Sequence, residues 1–347
     1  MTIDNLFKEA VKKKASDVHI IVGMPPVFRI DGSLITQNSF GKVNAKAAAD
    51  IINSLFSEKQ RQAFEEQKEL DLSYEIDGLL RFRVNVHQEK GYLGLVARVI
   101  PAKIPTLEDL QTPKIIYDLI NLNQGLILVT GPTGCGKSTS LAAIIDYINN
   151  NRSANIITLE DPIEFIFQPN KSIIKQRQLH TDMISFQNAL IHVLRQDPNV
   201  IMVGEMRDLE TIATTITLAE TGHLVFATLH THNSAQTIDR IIDIFPSHQQ
   251  AQIRLQLSMT LRGIVSQRLV PKADGGRLAI REVLINTPAI SNLIRENKIA
   301  QIKTVVQTSA KEGMFTMDQD IVRLYGGKLI DEQVAKFNIS SHNLLKK

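Results

Sequence analysis

Residues 125–140 read GLILVTGPTGCGKSTS, and Gly131, Gly136, Lys137 and Ser138 fill every fixed position of G-x-x-x-x-G-K-[ST]. That spacing suits phosphate. Glycines let the backbone curl until several N–H groups point inward, and they let an anion approach without a Cβ in the way. Thr133, Gly134 and Cys135 complete the loop, and Thr139 follows in the first turn of a helix that starts near Gly136. The helix start adds unpaired N–H groups and the positive end of its dipole. Lys137 supplies a mobile point charge for β- and γ-phosphates. Ser138 offers a hydroxyl to Mg²⁺, an ion that keeps most of its waters and takes few protein ligands. The implied ligands are ATP and Mg²⁺.

Such a loop needs a strand to launch it and a helix to follow. Leu126 to Val129 form a short apolar, partly β-branched run, and Leu141, Ile144, Ile145 and Ile148 recur at helical spacing after it. Strands are expected at 126–130, 156–159, 200–203 and 224–229, with helices at 137–149, 185–195 and 208–221. Strands alternating with helices indicate a parallel sheet, whose ligands sit beyond the carboxyl ends of its strands. Each later strand runs into polar residues there: Glu160-Asp161-Pro162-Ile163-Glu164, then Gly204-Glu205-Met206-Arg207-Asp208, then His230-Thr231-His232. If these strands neighbour the first, their tips meet the bound phosphates. Carboxylates at two tips would hold the metal's waters and orient the attacking one, and histidines at the third would donate to the phosphate. His230-x-His232 alone has too few ligands for zinc. Generic nucleotidases end the second motif's strand with Asp. Here Gly204 occupies that place and Glu205 follows, so metal support must come partly from elsewhere, with Glu164 the candidate.

Ahead of this lies a different pattern. Ile3, Leu6, Phe7, Ala10 and Val11 mark an amphipathic helix, residues 18–22 a strand, and Val27–Ile30 with Asp31-Gly32 one arm of a hairpin. Residues 44–66 return to helical spacing. LDLSYEI, LRFRVNVHQ and LGLVARVI alternate as strands, with turns at Asp77-Gly78 and Lys90-Gly91. Pro101, Pro105 and Pro113 punctuate a linker. The expected organisation is a small α+β domain over 1–100, a linker over 101–112 and an α/β domain over 113–347. After 234 the chain reads mostly helical, with strands possible at 265–270 and 278–283.

Composition narrows the classes. The chain has 347 residues, 43% hydrophobic and 22% charged, with a net charge of +3, and no run of like charge exceeds Lys12-Lys13-Lys14. A DNA-tracking groove needs clustered Lys and Arg with stacking aromatics, yet aromatics are 5% and Trp is absent, so no nucleic-acid partner is expected. The single cysteine forbids an internal disulfide and a four-cysteine zinc site. With no signal-peptide pattern and no apolar run of about eighteen residues, the expectation is a soluble, cytoplasmic protein.

At four stretches the chain resembles the secretion and type IV pilus motor ATPases. GPTGCGKST, TLEDPIEF, VGEMRDLETI and AETGHLVFATLHTHNSAQTIDRIIDIFP are similar to their Walker A, Asp-box, Walker B and His-box motifs. ASDVHI, PPVFRIDG, RFRVNV and EGMFTMDQDI extend the likeness over nearly the whole chain, which most resembles the twitching-motility retraction motors. The resemblance implies a RecA-like P-loop ATPase domain preceded by a smaller PAS-like domain, assembled as a homohexamer with ATP between the domains. It implies Lys137 and Ser138 as Walker A residues, Glu164 closing the Asp box, Glu205 as the Walker B glutamate, and His223 with His230 as the His-box pair. Ser138, Glu164 and Glu205 would support Mg²⁺, partly through water, and Arg81, Arg83 and Arg98 would reach the γ-phosphate.

The implied setting is the cytoplasmic face of the inner membrane, with peripheral association only, a membrane platform protein as partner, and a second retraction ATPase beside it. Pilus-extension or type II secretion ATPases and accessory retraction ATPases are the alternatives. Three features depart from the retraction motors. Cys135 replaces their usual Ser and is read first as a tolerated small residue; the alternative is that a thiol at a helix N-terminus has its thiolate favoured, opening the loop to oxidation. Ser291 replaces an arginine in AISNLIRE, residues 289–296, and the loop Lys272–Gly276 is closer to the accessory ATPases.

Overall fold

Alternating and continuous apolar segments separate into two sheets, each with its own core. The computed structural model describes residues 2–30, 32–76, 80–100 and 103–340. The expected turns at Asp31 and Asp77-Gly78, and Pro101 of the linker, lie outside the described residues. The chain divides into two units, one running to Lys103 and including Pro162–Ile166, the other comprising Ile104–Asp161 and everything from Phe167 onward.

The first unit is an antiparallel sheet with helices. Its strands are β1 (Asp17–Ile20), β2 (Val27–Ile30), β3 (Ser33–Thr36), β4 (Glu69–Ile76), β5 (Leu80–Glu89) and β6 (Tyr92–Ile100), in the order β3-β2-β1-β6-β5-β4. Period-two alternation sends Phe82, Val84 and Val86 of β5 into the core, which leaves Arg81 and Arg83 on the opposite face. The buried side of α1 (Ile3–Lys12) covers that core, and Phe7 stacks on Phe82 with ring centroids 4.1 Å apart. The helical spacing over 44–66 resolves into α2 (Ala45–Asn53) and α3 (Glu58–Gln67). Ser57 divides them, because its side chain and that of Gln60 form a capping box that starts the second helix afresh.

The second unit is wound around a mostly parallel sheet: β7 (Gly125–Thr130), β8 (Asn155–Glu160), β9 (Ile173–Gln178), β10 (Val200–Val203), β11 (Leu224–Leu229), β12 (Leu261–Pro271) and β13 (Arg277–Ile285). The order is β13-β12-β7-β11-β10-β8-β9, parallel except for β13. β7, β8, β10 and β11 are buried along their whole length, as strands covered on both faces must be, and this is why they read as unbroken apolar runs. Their helices are α4 (Lys114–Ile120), α5 (Lys137–Asn151), α6 (Phe186–Val193), α7 (Leu209–Glu220), α8 (Ser234–Asp243) and α9 (Ser247–Thr260). Beyond the β12–β13 hairpin follow α10 (Pro288–Arg295), α11 (Ile302–Thr308), α12 (Met317–Gly326) and α13 (Glu332–Asn338).

The small antiparallel domain and parallel-sheet domain stand as expected, and β7, β11, β10 and β8 are consecutive in the sheet, so their carboxyl ends lie side by side. Two elements escape the pattern reading. β9 is an edge strand whose sequence IIKQRQ is half polar, and α4 follows the linker as a short helix. Among the described residues no helix is long and apolar enough to cross a membrane.

Phe226 in β11 is fully buried at the centre of the parallel sheet. Phe226→Ala is expected to cost about 3–5 kcal/mol, read as a lower midpoint in chemical denaturation of the second unit.

Candidate active site

The loop between β7 and α5 owes its path to three glycines with positive φ: Gly131 (148°), Gly134 (78°) and Gly136 (87°). Gly131 is the tightest. A Cβ there would stand 2.3 Å from the main-chain oxygen of Gln267 and 2.6 Å from Cys135 Sγ. The loop thus leaves β7 pressed against β12, a cradle that any side chain at 131 would fill. Lys137 opens α5 and turns its Nζ over the loop, donating to the carbonyl oxygens of Gly131 (2.7 Å) and Pro132 (3.3 Å). Ser138 and Thr139 occupy the next two positions of the helix. A curled glycine loop, a helix start and an ammonium over it fit a polyphosphate, and the Ser138 hydroxyl in the first turn of the helix fits Mg²⁺ carried on that phosphate.

β12 supplies a support that motif reading misses. Gln267 is 1% exposed; its Nε2 donates to the Cys135 carbonyl (2.8 Å) and its Oε1 accepts from Ser140 Oγ (3.0 Å). Beside it Ser266 and Thr130 share a buried hydroxyl pair at 2.8 Å. The one available signal is the polar pair Ser266-Gln267 directly after the apolar Ile264-Val265.

At the tips of β10 and β11 the acidic and histidine motifs meet the loop. His230 Nε2 lies 2.9 Å from Glu205 Oε1, and its Nδ1 lies 3.4 Å from the Thr133 hydroxyl. With Nε2–H donating to the carboxylate, Nδ1 is left to accept from the threonine, so one imidazole links the phosphate loop to the glutamate. Arg207, to which sequence reading assigned no role, holds the other oxygen: its Nη2 is 2.9 Å from Glu205 Oε2, and its Nη1 is 4.0 Å from Asp161 Oδ2. Burial pushes the Glu205 carboxyl up, but hydrogen bonds and charge from Arg207 and His230 outweigh it and hold the group below the usual carboxylate range. Glu205 is therefore ionised at neutral pH. Gly204 has a local reason as well: a Cβ there would lie 3.1 Å from the Leu159 carbonyl, where the tips of β8 and β10 run close.

Other expected residues lie elsewhere. His223 precedes β11 while His230 follows it, so six strand residues at about 3.3 Å each set them roughly 20 Å apart. The His223 ring bonds to the Leu218 carbonyl (2.9 Å) and faces the Thr221 hydroxyl (3.2 Å), and its main-chain oxygen accepts from Gly125. The structure does not bring His223 to the phosphate loop of its own chain. Glu164 belongs with the first unit, its Oε1 4.0 Å from Arg83 Nη1. Arg81 donates there to the Ile163 carbonyl (3.1 Å) and Ser73 (3.2 Å), while Arg98 pairs with Asp17 at 2.9 Å. At the β8 tip, Glu160 is buried and accepts from Thr158 (2.6 Å) and Gln176 (3.1 Å).

Two departures acquire a structural setting. Cys135 is 3% exposed, and burial pushes its thiol up despite the opposing charge of Lys137, which works against the thiolate that a helix N-terminus alone would favour. In α10, Ile290, Leu293 and Ile294 form the buried face, and the Ser291 hydroxyl donates to the Ser258 carbonyl near the end of α9.

A glycine loop at the carboxyl edge of a parallel sheet, with an ionised glutamate and a histidine on the neighbouring tips, defines a P-loop nucleoside triphosphatase. Residues 1–275 match the family described as type II/IV secretion system protein, and the chain belongs to that family. Over 336 residues it is 45% identical to the type IV pilus retraction ATPase PilT of Pseudomonas aeruginosa, with 97% of each chain covered. Over 347 residues it is 39% identical to the type IV pilus ATPase PilU of the same organism, covering 100% of this chain and 91% of the other. The crystal structure of the pilus retraction motor PilT with bound ADP matches it with a TM-score of 0.91 at 46% identity, covering 100% of this chain and 99% of that one.

Gly131→Ala should weaken nucleotide binding about tenfold or more, because the loop must move off Gln267; calorimetric titration with Mg-ADP measures it. Arg207→Met tests the carboxylate. With its pKa depressed in the folded state, Glu205 contributes stability that is present above about pH 4.5 and lost as pH falls through the folded value. Arg207→Met should cost about 0.5–1 kcal/mol at pH 7, since the arginine side chain is 65% exposed and solvent screens the pair. The gap from wild type should close progressively in denaturation curves recorded below pH 4.5.

Proposed function

We propose that the chain hydrolyses MgATP to power retraction of a type IV pilus. The observation that carries this reading is the link from Thr133 through His230 to Glu205, which ties the phosphate loop to the acidic strand tip. It agrees with likeness to a retraction ATPase over nearly the full length of both chains.

The residues divide the work as phosphoryl transfer requires. Loop N–H groups and Lys137 would hold the β- and γ-phosphates, and Ser138 would hold Mg²⁺, which when bound would supply charge to neutralise the phosphate oxygens. Glu205 keeps one lone pair on each oxygen beyond those used by Arg207 and His230, enough to orient an attacking water. Its depressed pKa makes it a weak base, which suffices for a loose transition state that asks for positioning and charge more than for early proton removal. His230, donating to Glu205, registers the state of the loop through Thr133. Glu164 would support the metal's waters, and Arg81, Arg83 and Arg98 would supply further positive charge to the transferring phosphate.

The working form is a homohexamer peripherally docked at the cytoplasmic face of the inner membrane, against a pilus platform protein and beside a second retraction ATPase. Ser291, where retraction motors carry arginine, favours as a second reading an accessory retraction ATPase, the class to which PilU belongs.

Lys137→Ala and Glu205→Ala should each reduce Mg²⁺-dependent phosphate release to background; unchanged turnover in both rejects the reading. In the host, deletion complemented by Glu205→Ala should leave cells hyperpiliated and unable to twitch. Loss of surface pili would instead indicate an extension ATPase, and twitching that persists at reduced force would indicate the accessory role.

A further inference from the structure

The phosphate loop and the stretch by which the chain enters the second unit are held by two neighbouring buried side chains. Gln267 on β12 and Arg281 on β13 are register partners across the antiparallel pair, so their side chains emerge on the same face. Gln267 is committed to the loop and to α5, through Cys135 O and Ser140 Oγ. Arg281, 2% exposed, is committed to the entering stretch: its Nη2 donates to the Leu110 carbonyl (3.0 Å) and its Nη1 to that of Gln111 (3.3 Å). Both side chains line one small cavity, together with Leu107, Thr112 and Ser140. Asp320 fixes the far side, accepting from the Arg281 main-chain N–H (2.8 Å) and pairing with Arg323 (2.7 Å).

A buried guanidinium is a costly way to hold a surface loop. Taking the charge out of water is penalised unless its donors are met, and burial pushes the Arg281 pKa down to about 10 although Asp320 opposes the shift. An apolar residue would pack the segment as well. What arginine adds is direction: a planar fork grips two successive carbonyls and fixes the orientation of the turn over 106–112. That turn is a set of local bonds, Leu110 N–H to Thr106 O (3.2 Å), Gln111 N–H to Glu108 O (2.9 Å) and Thr112 N–H to Leu107 O (3.0 Å).

We propose that Gln267 and Arg281 are paired positioning residues, which set the phosphate loop and make the turn over 106–112 respond to the nucleotide held there. Phosphate drawing the loop N–H groups inward shifts the Cys135 carbonyl, Gln267 follows it, and the space beside Arg281 changes with it. This rests on the ATPase reading above.

The test is hydrogen exchange of the full-length chain with and without Mg²⁺ and a slowly hydrolysed ATP analogue, alongside steady-state kinetics. In wild type, nucleotide should change exchange at 110–112 about fivefold or more. Gln267→Met keeps the volume and loses both hydrogen bonds. It should raise KM for ATP about tenfold with kcat reduced less, and at saturating nucleotide exchange at 110–112 should stay within about twofold of the nucleotide-free rate. Arg281→Lys keeps the charge without the fork and should lose the response while KM moves less; if it fails to fold, Gln267→Met decides. A full response in Gln267→Met, or none in a wild type that binds nucleotide, overturns the proposal. A wild type that binds no nucleotide overturns the ATPase reading instead, and this proposal with it.

Discussion

The active loop depends on one close approach, the main-chain oxygen of Gln267 beneath Gly131. Nothing larger than a hydrogen fits between them, so the loop must start curling as soon as β7 ends. That early turn aims its later N–H groups and Lys137 at one point. β12 is in register with β7 there, pairing Val265 with Val129 and Ser266 with Thr130, so the support is as firm as the sheet itself. β7 is paired residue for residue with β11 on its other side, from Gly125 with Leu224 to Thr130 with Leu229, which carries that register into the rest of the sheet.

On this fixed base sits a carboxylate whose chemistry is set by its holders. Glu205 is engaged by an arginine on one oxygen and a histidine on the other, which leaves it charged and fixed in direction. Such a group orients a water well and deprotonates it poorly. The arrangement suits a reaction in which the leaving and attacking atoms need alignment more than a strong base. The strand tip at Gly204 runs close to Leu159, where a Cβ would be tight, and the carboxylate stands one residue onward, where it meets His230.

How much of this could be read beforehand varies with how local the cause is. The phosphate loop is legible because its residues are contiguous and their types are dictated by backbone geometry. Glu205 and His230 are legible because apolar strands that end in polar residues point to one edge of a parallel sheet. Their separation from His223 is also implicit in the sequence, since a six-residue strand stands between the two histidines and must carry them to opposite edges. Gln267 and Arg207 are not legible. Their roles arise from register and from neighbours on other elements; the polar pair Ser266-Gln267 hints at a buried bond without naming its partner, and EMRD gives no hint at all. β9 escapes because an edge strand lacks the fully apolar run that marks its neighbours, and α2 and α3 blur into one because both share helical spacing across the Ser57 cap.

Residues Pro162–Ile166 leave the second unit to join the first and then return, so the chain passes between the units three times. This has a bearing on synthesis. The first unit's sheet is translated within the opening hundred residues, yet the strip that includes Ile163, which receives the Arg81 guanidinium, is not made until sixty residues later. The first unit therefore emerges from the ribosome with a seam still open, and it is closed only when part of the second unit has followed.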